Sequence, residues 1–313
     1  MENRAICQTQ FGEAEPIEVL EFLQRPKPSA TPGHAVVKLT ARPITPLESF
    51  FIHSSFFAPL QKPVVLGSEG AGIVEEIGDN VTKSKAWGPS CGLDVSRVPG
   101  FSDEDASQMP INPATVYAML KDLSVPKGDY LLQTAAASVL GRQLIQLAKH
   151  QGIKTINIVR RNEVKEELLA LGADEVIDSS SEDVAARVKD ITSDKLAYAA
   201  VDAVGGRLTK TVGESTRSGG VIYEYGSLSG TGEVVLGLSD LKRNVQLKFW
   251  SLFNNEASLI PERRQNIVAE LIKLMQEKII TLPPPSKSYP LTEFRQALQH
   301  SEKVTGGAKI LLI

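Results

Sequence analysis

The stretch Asp129-Tyr130-Leu131-Leu132-Gln133-Thr134-Ala135-Ala136-Ala137-Ser138-Val139-Leu140-Gly141, continued to Ile158-Val159-Arg160-Arg161, decides the fold. Tyr130 to Thr134 reads as a short apolar strand, and Ala135 to Gly141 as a turn of small residues entering a helix. Along that helix Leu144, Ile145, Leu147 and Ala148 recur at the spacing of a face laid against a sheet. Thr155 to Val159 is then the second strand of a βαβ unit. Against the dinucleotide fingerprint G-x-G-x-x-G, the three positions hold Ala136, Ser138 and Gly141. Small residues at the first two let a pyrophosphate approach the backbone amides and the positive end of the helix. Gly141 permits close packing of helix on strand.

The end of the second strand carries a cofactor preference. Where NAD-binding units place an acid for the ribose 2′-hydroxyl, about 20 residues after the glycines, this chain has Arg160 and Arg161. A carboxylate there repels a 2′-phosphate, whereas a guanidinium binds it through two parallel charge-assisted hydrogen bonds. The cofactor expected is NADPH. The bland alternative is that the two arginines open a solvated helix continuing through Asn162 to Glu167; the unit before them favours the phosphate reading.

Strands and helices go on alternating: Glu175 to Asp178, a helix from Ser181 to Thr192, Tyr198 to Val204, a helix from Arg207 to Arg217, Gly220 to Gly226, and an apolar run from Gln246 to Phe253. Six strands with intervening helices predict a doubly wound parallel sheet, a Rossmann fold. Val204-Gly205-Gly206 and Tyr225-Gly226-Ser227 fall at carboxyl ends of strands, where such sheets bind cofactors.

The first hundred residues read differently. His34 to Ala41 and Ala71 to Gly78 alternate polar and apolar residues between Gly, Pro and Asn breaks, which are β signals without regular helices between them. The last forty residues hold one helix, Glu293 to His300, and a terminal strand, Ala308 to Ile313. The simplest architecture is a β-rich domain built from both termini, residues 1–122 and 258–313, with the nucleotide-binding domain 123–257 inserted. With 313 residues, 42% hydrophobic content and a formal charge of −3, the chain can bury a substantial core. Its apolar runs are strand length and no basic patch with interleaved aromatics occurs, so neither a membrane nor nucleic acid is an expected partner. Cys7 and Cys91 are too few for a disulfide framework. Met1 to Cys7 lacks a signal-peptide apolar region and an Arg/Ser-rich transit segment, so the expected location is cytoplasmic.

On the motifs Gly67 to Val74, Gly78-Asp79-Asn80-Val81, Ile111 to Thr115, Gln133 to Ser138, Thr155 to Arg161, Phe249-Trp250 and Lys309, the chain resembles the medium-chain dehydrogenase/reductase superfamily. Within it, the chain is similar to the zinc-free quinone oxidoreductase and mitochondrial-type 2-enoyl thioester reductase branch. The resemblance implies a GroES-like β domain around the Rossmann domain. It also implies cofactor contacts from Asn112 and Thr115, a pyrophosphate turn at Ala137, Ser138, Val139, Leu140 and Gly141, and a 2′-phosphate clamp at Arg160, Arg161 and Asn162. Loops flanking the nicotinamide are implied at Tyr225, Gly226, Ser227 and Leu228 and at Phe249, Trp250 and Ser251, with Lys309 a terminal cofactor contact. For Tyr225, Phe249 and Trp250, core or subunit packing is the competing reading. A homodimer through the edge of the nucleotide-binding sheet, near Gln246 to Phe253, is likewise implied.

Zinc is not expected. Zinc members carry a His beside the Gly-x-Glu turn plus cysteine ligands; here that place is Ser68, and His34, His53, His150 and His300 show no ligand spacing. Without a metal, NADPH must reduce an acceptor already polarised, an enoyl thioester, an enone or a quinone. The tyrosine that enoyl reductases of this family place before the Gly-x-Glu-Gly turn corresponds to Phe56, which cannot donate a proton. Thr45 and Glu48 replace the more usual Asn and Asp. The proton donor is therefore unassigned among His53, Ser54, Ser55 and Tyr117, while Phe50, Phe51, Phe56, Phe57 and Trp250 suit an apolar acceptor pocket or a core. Residues 82–101 are short where relatives carry two further strands, so the β domain is expected to be remodelled, mobile or defective while the nucleotide-binding domain folds normally. The alternative function is an NADPH-binding protein with little catalysis.

Overall fold

Apolar strand-length runs bounded by turns assemble into one parallel sheet. The computed structural model describes residues 3–9, 17–48, 63–81, 93–94, 100–254, 261–304 and 308–313. Six strands lie side by side in the order Gln246–Phe249, Thr216–Glu224, Ala197–Asp202, Tyr130–Gln133, Lys154–Val159, Glu175–Asp178. Every neighbouring pair is parallel, and the chain order reverses between Tyr130–Gln133 and Ala197–Asp202. This is the doubly wound dinucleotide-binding topology, with its switch point at that pair. Helices bury both faces, which is why the strands are apolar almost throughout. Leu132, Ile156, Ile158, Ile177, Ala200 and Ile222 pack with Val184, Val188 and Val212 in one cluster, and Ile145, Leu168 and Val176 with Val159 in another.

Two buried amide side chains link neighbouring strands of the sheet. Gln133 Nε2 donates to Asn157 Oδ1 at 2.6 Å and to the Gly141 carbonyl at 3.1 Å. Asn157 Nδ2 donates to Thr155 Oγ1 and the Glu175 carbonyl, both at 2.9 Å. Three strands are thereby stitched together at the level where the cofactor helix begins.

Element boundaries differ from the sequence expectation for identifiable reasons. The helix expected over 207–217 is Leu208–Glu214, because Ser215 and Thr216 hydroxyls bond back to the Thr211 and Val212 carbonyls. The strand then starts at Thr216. The helix expected from Ser181 starts at Val184, where the Asp183 carboxylate caps the Ala186 amide. Asn112 and Thr115, read as one turn, open a helix, Asn112–Leu123, with Pro113 in its first turn, where no intrahelical N–H is needed. The helix Pro261–Gln276 was not expected; it buries Ile267, Leu271, Leu274 and Met275 at helical spacing.

The chain divides into two compact units, Met1–Ile111 with Leu282–Ile313, and Asn112–Thr281. The seams of this division lie at 111/112 and 281/282. The flanking helices Asn112–Leu123 and Pro261–Gln276 pack on each other, and the former packs on Val139–Gln151. In the terminal unit, Leu20–Arg25, Asn3–Gln8 and Val64–Val65 form an antiparallel sheet. A second, mixed sheet runs Pro285–Tyr289, Lys309–Leu312, Ala35–Ile44, Ala71–Ile77, Leu93–Asp94. Of the segment 82–101, Leu93–Asp94 pair in parallel with Ala71 and Gly72, and most of the remainder lies outside the described residues.

The terminal unit's core gathers Ile6, Leu20, Ile44, Tyr289, Ile310 and Leu312 around Phe294, which is 1% exposed. Phe294→Ala should cost this unit about 3 to 5 kcal/mol. Hydrogen exchange should then rise along Ala35–Ile44 and Lys309–Leu312 while Ala197–Asp202 keeps its protection; equal loss in both units would show that they unfold as one.

Candidate active site

The helix Val139–Gln151 begins where it does because Ser138, in extended conformation, accepts the Gly141 amide at 3.1 Å. That cap uses one of the first free amides and leaves those of Val139 and Leu140 for an anion at the positive helix end. Ala135 takes a left-handed φ of 50° at the turn. A Cβ at Gly141 would lie 2.6 Å from the Ala136 carbonyl oxygen, so the third fingerprint position is glycine by contact. Ala137, Ser138, Val139 and Leu140 are partly exposed, as a phosphate seat requires. Arg160, Arg161 and Asn162 follow the buried strand Lys154–Val159 and are all exposed. Among the described residues no carboxylate pairs with either arginine, so both guanidinium groups are available to a ligand.

At the carboxyl ends of the next strands the Asp202 carboxylate is fully buried. Its Oδ1 accepts from Thr134 Oγ1 at 2.7 Å and the Val204 amide at 2.9 Å, and Oδ2 accepts from Thr209 Oγ1 at 2.9 Å. Glu224 lies beside it. Burial and the Asp202 charge raise Glu224 to about 8, its proton held toward Asp202. The Tyr225 hydroxyl is buried with no hydrogen-bond partner and is held above its ordinary range by burial. A Cβ at Gly226 would meet the Ala203 carbonyl oxygen at 2.6 Å, Ser227 is half-buried, and Leu228 is exposed.

Phe249 and Trp250 part company. Phe249 is 66% exposed at the end of the edge strand. The Trp250 indole is buried, stacked on Tyr223 with Nε1 donating to Asp122 at 3.0 Å. That side chain serves packing. Thr115 is buried and Asn112 half-buried in the first turn of their helix. Tyr117, two residues on, keeps its hydroxyl proton above the ordinary range through burial.

The remaining expected contact, Lys309, belongs to the terminal unit. Its buried Nζ stands 3.5 Å from Glu69 Oε1. Glu69 Oε2 accepts the Ile111 amide at 3.0 Å. Burial pushes Glu69 up to about 7, opposed by the Lys309 charge. Sequence reading missed this pair's acid because Glu69 passed as part of a turn motif. Nearby, Glu48 accepts from the backbone amides and hydroxyls of both Thr45 and Ser68. Thr45 and Ser68 thus stand with their hydrogens committed to a carboxylate, a donor set unlike the thiolates and imidazoles that hold zinc. Among the described residues no three His, Cys, Asp or Glu side chains cluster as metal ligands. Phe50, Phe51, His53, Ser54, Ser55, Phe56 and Phe57 lie outside the described residues.

Residues 139–275 match the zinc-binding dehydrogenase family model, wholly within the nucleotide-binding unit. The mitochondrial enoyl-[acyl-carrier-protein] reductase of Rattus norvegicus is 30% identical over 96% of this chain and 86% of its own. A quinone oxidoreductase structure from Pseudomonas syringae pv. tomato superposes with a TM-score of 0.86 at 27% identity, covering 100% of both chains. A mycobacterial structure complexed with NADPH gives 0.84 at 25% identity, covering 99% of this chain and 100% of its own. The chain belongs to the medium-chain dehydrogenase/reductase superfamily, in its zinc-free branch. It is an oxidoreductase of that type, and its cofactor is a nicotinamide dinucleotide, which the phosphate seat and the glycine contacts fit.

Glu224 makes the site pH-sensitive. Its pKa is raised from 4.5 to about 8 on folding, so between those values the folded state binds more protons than the unfolded one. The stabilisation is full below the unfolded value and is lost as pH rises through the folded one. Melting of the nucleotide-binding unit should fall by roughly 4 °C or more between about pH 5 and about pH 9. Glu224→Gln, which keeps a donor toward Asp202, should flatten that slope; a parallel pH profile for the variant would refute the assignment.

Proposed function

We propose that this chain is a zinc-independent, NADPH-dependent reductase that delivers hydride to an activated C=C bond, in a 2-enoyl thioester or enone, or to a quinone. The observation that carries the cofactor half of this reading is the exposed, unpaired Arg160-Arg161 at the end of Lys154–Val159. The acceptor half is supported by relatives named as enoyl reductases and neighbours named as quinone oxidoreductases. When bound, the nicotinamide supplies a hydride. The chain's own residues do the holding. The amides of Val139 and Leu140 with the helix dipole meet the pyrophosphate, and the two arginines with Asn162 meet the 2′-phosphate. The backbone at 225–228 and 249–251, with Asn112 and Thr115, orients the nicotinamide end. After hydride transfer, the acceptor carries negative charge on oxygen or its conjugated carbon, and one proton from a side chain or from solvent completes reduction.

The same reading includes a homodimer. The strand Gln246–Phe249 is a sheet edge, and Phe249, Leu238 and Leu241 are 66%, 70% and 57% exposed. An open edge beside apolar side chains is a surface suited to pairing with a second copy. Phe249→Asp should shift sedimentation toward monomer; an unchanged profile counts against this edge. Among the described residues no helix is long and apolar enough to cross a membrane. The cytoplasmic location remains part of the proposal against relatives named mitochondrial, and cell fractionation decides between the two.

The deciding experiment measures NADPH oxidation with a short 2-enoyl thioester and a simple quinone side by side. Turnover of either supports a reductase and selects its branch; NADPH binding with turnover of neither overturns it in favour of a binding protein. Replacing both Arg160 and Arg161 by Ala should raise the Kd for NADPH roughly 10-fold or more while leaving NADH within about 2-fold. Equal losses for the two cofactors would refute the phosphate clamp.

A further inference from the structure

Arg142, in the first turn of Val139–Gln151, faces two ways. Its Nε donates to the Ala137 carbonyl at 3.0 Å, inside the pyrophosphate turn. Its Nη1 and Nη2 grip the two carboxylate oxygens of Glu167, Nη2 at 3.1 Å. Glu167 lies in the first turn of the helix Lys165–Leu171, which directly follows the segment carrying Arg160 and Arg161. Beneath this bridge Ala136, Val159 and Leu168 share one buried cluster, with Ala137 and Val164 packed against it. The pyrophosphate turn and the arginine segment therefore rest on common apolar ground and are tied together above it by one side chain.

We propose that Arg142 and Glu167 form a positioning strut. It fixes the distance between the pyrophosphate turn at 137–141 and the 2′-phosphate segment at 160–162, and so contributes to selection of NADPH over NADH. The proposal rests on the NADPH reading above. A nucleotide presents its pyrophosphate and its 2′-phosphate at a spacing set by one ribose, so both charges are met together only when the two protein segments hold the matching distance. An ordinary exposed ion pair contributes little because both side chains are mobile. Here the Arg142 side chain is 16% exposed and that of Glu167 61%, and the guanidinium uses three nitrogens in a fixed fork, two on a carboxylate and one on a carbonyl, the arrangement that transmits orientation. Those commitments also remove Arg142 from service as a direct phosphate ligand. Nothing in the dinucleotide fingerprint requires an arginine at this place or an acid at 167.

The test measures Kd for NADPH and NADH at fixed salt for the full-length protein and for Glu167→Gln, Arg142→Gln, Arg142→Lys and the double glutamine variant. Each single substitution should weaken NADPH about 3- to 10-fold and NADH less than about 2-fold. Lysine, which keeps the charge without the fork, should behave like glutamine. The double variant should be no worse than the poorer single one, because both remove the same interaction. Equal losses for the two cofactors reduce the pair to a general brace and overturn the proposal, as does an unchanged ratio. Tighter binding of both cofactors by Glu167→Gln would make Arg142 a restrained pyrophosphate ligand instead, and would likewise overturn the strut. A wild-type protein with no preference for NADPH refutes the cofactor reading itself, and Arg160→Ala and Arg161→Ala would then also leave binding unchanged. A wild-type preference that survives in Glu167→Gln and Arg142→Gln refutes the strut alone.

Discussion

The nucleotide-binding unit turns on a single buried carboxylate. Asp202 accepts bonds from Thr134 on the strand across the switch point, from the backbone of the loop after its own strand, and from Thr209 on the following helix. Thr134 Oγ1 in turn accepts the Ala203 amide at 2.9 Å. A fully buried charge is costly unless donors surround it, and here they come from the residue after Tyr130–Gln133, the loop after Ala197–Asp202 and the helix Leu208–Glu214. Removing one partner would leave the charge under-satisfied, so the loops at 203–209 are held at the one arrangement that supplies all its donors. The knot also sets the state of its neighbour. Glu224 cannot ionise cheaply beside it and holds its proton into the neutral range.

Most of this architecture is legible along the chain because a parallel sheet buried on both faces writes itself as apolar strand-length runs. Gly141 was readable because contact with Ala136 excludes any side chain, and Arg160-Arg161 because the position is defined by counting from the turn. The seams were not legible. Asn112–Leu123 hides behind a motif with a proline in its first turn, and Pro261–Gln276 opens on Pro-Glu-Arg-Arg-Gln-Asn, which reads as a polar connection. The apolar spacing of Ile267, Leu271 and Leu274 was nonetheless present. Trp250 shows a different limit. Whether an aromatic lines a site or fills a core depends on its partner, and Asp122 stands 128 residues away. Glu224 carried no signal at all, since an acid alternating with tyrosines in a strand looks like an ordinary outward-facing residue.

The terminal unit solves a related problem by the same means. Ser68, at the place where zinc members of the superfamily carry a His, and Thr45 direct their hydroxyls at Glu48, and Glu69 sits with Lys309. A carboxylate with four donors is satisfied without a metal. Hydroxyls whose hydrogens are so engaged present only lone pairs outward, which neither bind an oxyanion nor give up a proton readily.

The residues proposed to hold the cofactor's phosphates and the departures from the enoyl reductase pattern fall in different units. The proposed phosphate seat, the two arginines and the Asp202 knot all belong to residues 112–281. The departures from the enoyl reductase pattern, Thr45, Glu48 and Phe56, all fall within residues 1–111. A superfamily built this way can keep one hydride-delivering unit and alter the chemistry of its acceptor through a handful of positions in the other.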